Sequence, residues 1–132
     1  EVVDLYRFSD AFLLPSIVEG WSIAMTEALF FGLPLILTDV GGAKDVLEKP
    51  GIGLLVSNSF GEITSLTNEN LGIYTRDESP SNLEELIRAM EDVLTRPEYW
   101  QDFSKKRHQL VEERYSLEIA VNRTMDVFRP FL

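Results

Sequence analysis

Two carboxylates stand either side of a glycine turn near the start of the chain: Glu19, which opens Glu19-Gly20-Trp21-Ser22, and Glu27, seven intervening residues later. Before them runs the apolar stretch Ala11-Phe12-Leu13-Leu14; after Ser22 comes Ile23-Ala24-Met25-Thr26-Glu27-Ala28-Leu29-Phe30-Phe31. The first reads as a strand and the second as a helix, so the turn lies at the carboxyl edge of a sheet, where ligands of open α/β sheets bind. A helix that starts near Ser22 offers N–H groups without intrahelical acceptors and the positive end of its dipole, and Gly20 lets a ligand approach the backbone closely. This is an anion seat suited to a diphosphate, and it needs no lysine. Apart from Asp39, Glu27 is the only charged residue between Gly20 and Lys44. Its apolar surroundings predict burial, and a buried carboxylate must be hydrogen-bonded or be driven toward its neutral form. Ligand hydroxyls would serve. Glu27 lies roughly 7 Å along the helix from its start, at 1.5 Å per residue. A ribose could therefore be held there while the phosphates occupy the amino end and a sugar lies beside Glu19.

The elements that must position this turn follow from three continuous apolar runs, Ala11 to Leu14, Leu35-Ile36-Leu37 and Leu54-Leu55-Val56. Continuous rather than alternating runs are the pattern of strands covered by helices on both faces of a parallel sheet. Helices are predicted over residues 2–9, with Val2, Leu5 and Tyr6 on one face, over 22–31, stopped by Gly32 before Pro34, and over 43–48. The order strand, helix, strand, helix, strand implies parallel crossovers and a three-layer, Rossmann-like α/β sandwich over residues 1–57. Residues 58–80 read as a long polar loop, either an excursion with its own small structure or a lid. Residues 81–132 read as helices. Ser81 and Glu84 have capping-box spacing, with Leu83, Leu86, Ile87, Met90 and Leu94 as the inward stripe. Pro97 opens a helix to about Arg114 with Trp100 and Phe103 in the core, and Ser116 caps a last helix with Leu117, Ala120, Val121 and Phe128 inward.

The composition narrows the function. Twelve Lys and Arg against 22 Asp and Glu leave a net charge of -10, which opposes non-specific binding to nucleic acid or to an anionic membrane. There is no cysteine, so neither a disulfide framework nor a thiolate-ligated metal is available. With 45% hydrophobic residues, a real core is expected. No apolar run approaches the roughly 20 residues that cross a bilayer. A cytoplasmic protein is expected, at most peripheral to a membrane. His108 follows Lys105-Lys106-Arg107 and reads as part of a solvated face. Asp39 has no second hard ligand at a useful spacing, so no metal site is expected.

The run from Ser16 through Leu47, with Pro15 before it, resembles the signature of retaining GT-B glycosyltransferases of the family 4 (group 1) type. It contains Pro15-Ser16, Glu19-Gly20-Trp21, Glu27, Gly32-Leu33-Pro34 and Thr38-Asp39-Val40-Gly41-Gly42, in the family's order. The resemblance implies a nucleotide diphosphate sugar as donor, no metal or other cofactor, and a glycan or lipid-linked acceptor. It implies that Glu19 lies beside the transferred sugar as the catalytic or orienting group, that Glu27 binds the ribose, and that the backbone of Gly20, Trp21, Ser22 and Ile23 meets the phosphates and sugar. Gly41 and Gly42 form a further candidate pair, with a plain turn as the alternative. Two positions depart from the usual pattern: Trp21 is bulkier than the common Phe, and Asp45 stands where a Glu is frequent. The family's donor domain has further strands before this region and a separate acceptor domain. The chain is accordingly expected to be an internal piece, inactive by itself and able to self-associate through the edge strand 11–14. A non-catalytic sugar-nucleotide or partner-binding module and half of a sugar-nucleotide epimerase remain as alternatives.

Overall fold

The computed structural model describes residues 1–61, 64, 67 and 80–131. The segment read as a long loop, residues 58–80, lies for the most part outside the described residues. The first half is built from helix α1 (Val2–Phe8), strand β1 (Phe12–Leu14), helix α2 (Ile23–Phe30), strand β2 (Leu35–Thr38), helix α3 (Ala43–Val46) and strand β3 (Gly53–Val56). Helices α4 (Leu83–Thr95), α5 (Pro97–Asp102), α6 (Ser104–Arg114) and α7 (Leu117–Phe128) follow, with a closing 3-10 turn, Arg129–Phe131. The strands pair in the order β1-β2-β3, all parallel, with Phe12 beside Leu35 and Leu35 beside Gly53.

β2 lies at the centre, and its four residues are all buried because helices cover both faces. Leu35 and Leu37 pack with Met25, Ala28 and Leu29 of α2, Val46 of α3, and Leu110 and Val111 of α6. Ile36 points the other way, into a cluster with Val56, Ala89, Val93 and Trp100. The alternation along one strand thus divides the core into two layers of helices about one sheet, the predicted three-layer arrangement. Gly32 stops α2 with φ +78°, a conformation that costs a glycine nothing.

The helices after β3 differ from the sequence-based expectation in four ways. Ser81 does not cap α4: its hydroxyl donates to the Ser59 carbonyl at 2.9 Å, and the N-cap position belongs to Asn82. The Asn82 amide donates to the Ser57 carbonyl at 2.7 Å, and Ser57 donates its amide and hydroxyl to Glu85 at 2.9 and 3.1 Å. These bonds hold the Glu85 carboxyl below its usual range, the backbone bond contributing most. They also fix the roll of α4, so that Leu86, Ala89 and Val93 face the sheet while Leu83, Ile87, Met90 and Leu94 are exposed. The predicted helix from Pro97 to Arg114 breaks at Phe103 into α5 and α6, with Trp100 buried as expected. α7 is capped by Ser116 as predicted, its hydroxyl accepting from the Ile119 amide at 3.4 Å, but the helix buries no residue and Leu117 is 80% exposed. An apolar stripe is buried only where another surface receives it. In α1 likewise, Val2 and Leu5 are exposed and Tyr6 alone of the three packs inward.

The basic run of α6 is not a uniformly solvated face. Arg107 is 1% exposed, and its guanidinium donates to the carbonyls of Gly32 at 2.7 Å, Gly51 at 2.5 Å and Trp100 at 2.5 Å. A planar fork of five N–H groups can serve three carbonyls from three separate segments at once. Burial pushes its pKa down to about 10, which leaves it charged at neutral pH. The neighbouring His108 donates through Nδ1 to the Phe30 carbonyl at 2.5 Å, with its ring 4.5 Å from that of Phe30. α6 is therefore bolted to the end of α2 and to the loop before β3.

Candidate functional site

The turn between β1 and α2 is tied to the rest of the fold through its own carbonyls. The Thr38 hydroxyl, at the end of β2, donates to Ser16. The side-chain amide of Asn58, just past β3, donates to Ile17 at 3.2 Å, and its oxygen accepts from the Phe60 amide at 3.2 Å. The Gly42 amide, at the start of α3, donates to Gly20 at 2.9 Å. The end of β2, the loop that follows it and the segment just past β3 each contribute one bond at the carboxyl edge of the sheet. Thr38 is 2% exposed and Asn58 is also buried, so both are committed to this work. Sequence reasoning singled out neither for it, and the faint signal was a threonine closing an otherwise apolar strand.

Gly41 and Gly42 have a definite part in this contact. Gly41 sits at φ +52°, and a Cβ there would run into the carbonyl oxygens of Glu19 and Gly20; one at Gly42 would meet the Trp21 ring. The glycine pair is thus the place where the second loop presses against the first. Trp21 lies across Gly42 with its ring 4.8 Å from that of Tyr115, and its indole N–H donates to the Thr26 hydroxyl at 3.1 Å. Its bulk is taken up against the end of α6. The space enclosed between the loops is about 10 Å³, room for one water at most. A larger ligand would lie across the outside of the turn.

The outer face begins at Gly20, where a Cβ would meet open space. Ser22 is the N-cap of α2: its hydroxyl accepts from the Met25 amide at 3.3 Å and its carbonyl from the Thr26 amide at 3.4 Å. The amides of Ile23 and Ala24 have no acceptor among the described residues, which leaves two N–H groups at the positive end of the helix. Glu19 is half-buried, and one of its oxygens accepts from the Gly20 amide at 3.1 Å.

Glu27 is exposed, against the prediction of burial. α2 buries Met25, Ala28 and Leu29, an i, i+3, i+4 stripe, so Glu27 falls on the opposite side with Ile23, which is 75% exposed. The apolar residues Ile23 and Phe30 made the helix look buried all round when it is not. One Glu27 oxygen accepts from the Tyr6 hydroxyl at 2.9 Å. The Tyr6 phenol is pushed above its usual pKa, first by burial, then by the bond to Glu27 and by that carboxylate's charge.

Glu19, Gly20, Trp21, Ser22, Gly41 and Gly42 therefore form one contiguous cluster, with Ile23 at its outer margin. Glu27 stands apart from it, one helical turn beyond Ile23 on the same exposed face. Asp39, considered as a metal ligand, pairs with Lys44 at 2.7 Å. No group of three or more His, Cys, Asp or Glu that could hold a metal occurs among the described residues, and no helix among them is long and apolar enough to cross a membrane.

A parallel sheet between two helical layers, with a glycine turn leading from the first strand into a helix, defines a Rossmann-like α/β domain of the GT-B type, present in part. The sucrose-phosphate synthase of Thermosynechococcus elongatus superposes with a TM-score of 0.71 at 20% identity, over 96% of this chain and 26% of that one. The family model for glycosyl transferases group 1 matches residues 1–69, and the chain belongs to that family. A sucrose synthase of Acidithiobacillus caldus is 27% identical over 132 residues, covering 97% of this chain and 14% of that protein. The N-acetyl-alpha-D-glucosaminyl L-malate synthase of Bacillus anthracis is 32% identical over 92 residues, covering 70% of this chain and 23% of that protein. The chain thus spans no more than about a quarter of the length of these relatives.

Proposed function

We propose that this chain is the carboxyl-side part of the donor-binding domain of a retaining glycosyltransferase of the family 4 type, which moves a sugar from a nucleotide diphosphate sugar to a hydroxyl of a glycan or lipid-linked acceptor. The observation that carries the reading is the open ridge on which Glu19, the exposed Gly20 backbone, two amides at the start of α2 with no acceptor among the described residues, and Glu27 follow one another. In the reaction the bond from the sugar's anomeric carbon to the phosphate oxygen breaks, and the nucleoside diphosphate leaves with the electron pair. The acceptor oxygen forms the new bond and passes its proton to the departing diphosphate oxygen. Amides aimed at the departing diphosphate favour the transition state, where its charge develops. Glu19 orients the sugar at the reacting end, Glu27 holds the ribose, and no metal or other cofactor is needed.

In the full-length protein, Glu19→Ala is expected to lower kcat by about a hundredfold or more, the scale of a lost orienting or acid–base group. Glu27→Ala is expected to raise the donor KM roughly tenfold with a smaller change in kcat, as loss of charge-assisted hydrogen bonds to the ribose would do. Wild-type kinetics in both variants would overturn the assignment, and donor binding without turnover in the wild type would identify a non-catalytic module. The names of the sucrose and glucosaminyl-malate synthases favour a second reading of the acceptor, as a small hydroxylated metabolite. A screen of soluble sugars and hydroxy acids against lipid-linked acceptors separates the two.

A further inference from the structure

We infer that Tyr6 is a positioning residue for Glu27: its hydroxyl holds one carboxylate oxygen so that the other meets the ribose hydroxyls of a bound donor. The inference rests on the reading of Glu27 as the ribose-binding group. Three features of the structure support it. The Tyr6 hydroxyl lies 2.9 Å from Glu27 Oε2, while its other polar neighbour, the Ala24 carbonyl, is at 3.4 Å. A phenol has one proton to donate, and the shorter, charge-assisted bond is the one that takes it. The ring itself cannot wander. It is stacked on Phe31 at 5.4 Å with the planes 11° apart, and it meets Phe12 at 6.2 Å, so α1 presents the hydroxyl to α2 at a fixed point. Finally, no Lys, Arg or His forms an ion pair with Glu27 among the described residues, and the exposed side chain would otherwise sample several rotamers. Ordering a free glutamate on binding is costly, and a carboxylate already fixed in the unliganded protein avoids that cost. The bonded carboxylate keeps acceptor capacity for the two neighbouring hydroxyls of a ribose.

The test is calorimetric titration of the full-length protein with uridine, guanosine or adenosine diphosphate, whichever binds, and with its dideoxyribose analogue. Tyr6→Phe keeps the ring and its packing and removes the hydroxyl alone. It is expected to weaken binding of the ribonucleotide about threefold to tenfold, the range of one lost hydrogen bond, and to leave the dideoxy analogue unchanged. Glu27→Ala should weaken the ribonucleotide at least as much, and adding Tyr6→Phe to it should weaken binding no further. If Glu27→Ala affects neither ligand, the ribose reading falls and this inference with it. If Glu27→Ala is selective for the ribonucleotide while Tyr6→Phe changes nothing, or weakens both ligands alike, the positioning role is overturned and the ribose reading stands.

Discussion

At the Glu19 end of the site the backbone is tied to the end of β2, the loop after it and the segment past β3 through the carbonyls of Ser16, Gly20 and Ile17, whereas at the Glu27 end one phenol holds one carboxylate. The first end is made of main chain and fitted glycines, and it is set when the sheet forms. The second depends on a side chain from α1, a helix that buries none of its residues. Damage at the first end is therefore expected to appear as lost stability and lost activity together. Damage at the second should appear as lost affinity with the fold unchanged.

Gly41→Val gives the sharpest break. A β-branched residue at φ +52° pays the left-handed penalty, and its Cβ would collide with two carbonyl oxygens of the turn. Backbone strain and overpacking of about 1–3 kcal/mol each suggest a loss of about 4 kcal/mol. Calorimetry of the full-length protein should show a lowered unfolding midpoint, and donor binding should fail with it. A variant of wild-type stability would mean that the loops do not press together in solution. Thr38→Val comes next. It keeps the shape of the strand end but leaves the Ser16 carbonyl without its donor, a loss of about 1–2 kcal/mol. A fall in the unfolding midpoint together with a raised donor KM would show that this tie serves the site as well as the fold. A change in stability alone would separate the two.

The same contrast explains what could be read from the sequence. Leu35-Ile36-Leu37 was legible as a buried strand because both of its faces are covered, and Gly32 as a helix stop because the chain leaves α2 through a positive φ there. The order of elements and the place of the Glu19 turn follow from such local signals. Arg107 was not legible: it reaches Gly32, 75 positions away, and nothing in Lys105-Lys106-Arg107-His108 distinguishes the buried cation from its neighbours. The roll of α4 was equally hidden, since it is set by Ser57 bonding to Asn82 and Glu85 rather than by the more obvious stripe of Ile87, Met90 and Leu94. Glu27 lies on the predicted helix but is exposed where burial was expected. Composition reports how apolar a helix is, while its orientation depends on the surface it packs against.

The smallest predicted effect probes the Glu27 end by pH. Burial and Glu27 raise the Tyr6 pKa above that of an ordinary phenol, in that order of importance. The neutral phenol is therefore the form that the fold favours. The stability contributed by its bond to Glu27 is complete below the ordinary phenol value, about pH 10, and is lost as the pH rises through the higher folded value. In an ultraviolet titration of tyrosinate, the difference between wild type and Tyr6→Phe should isolate one phenol that ionises later than a free tyrosine. Glu27→Ala removes the bond and the neighbouring charge but leaves the burial, so it should bring that phenol only part of the way back. A curve that Glu27→Ala does not move would mean that the hydroxyl and the carboxylate do not meet in solution. The two ends would then differ even more, with Glu27 as unconstrained as any surface carboxylate and only the Glu19 turn shaped before a ligand arrives.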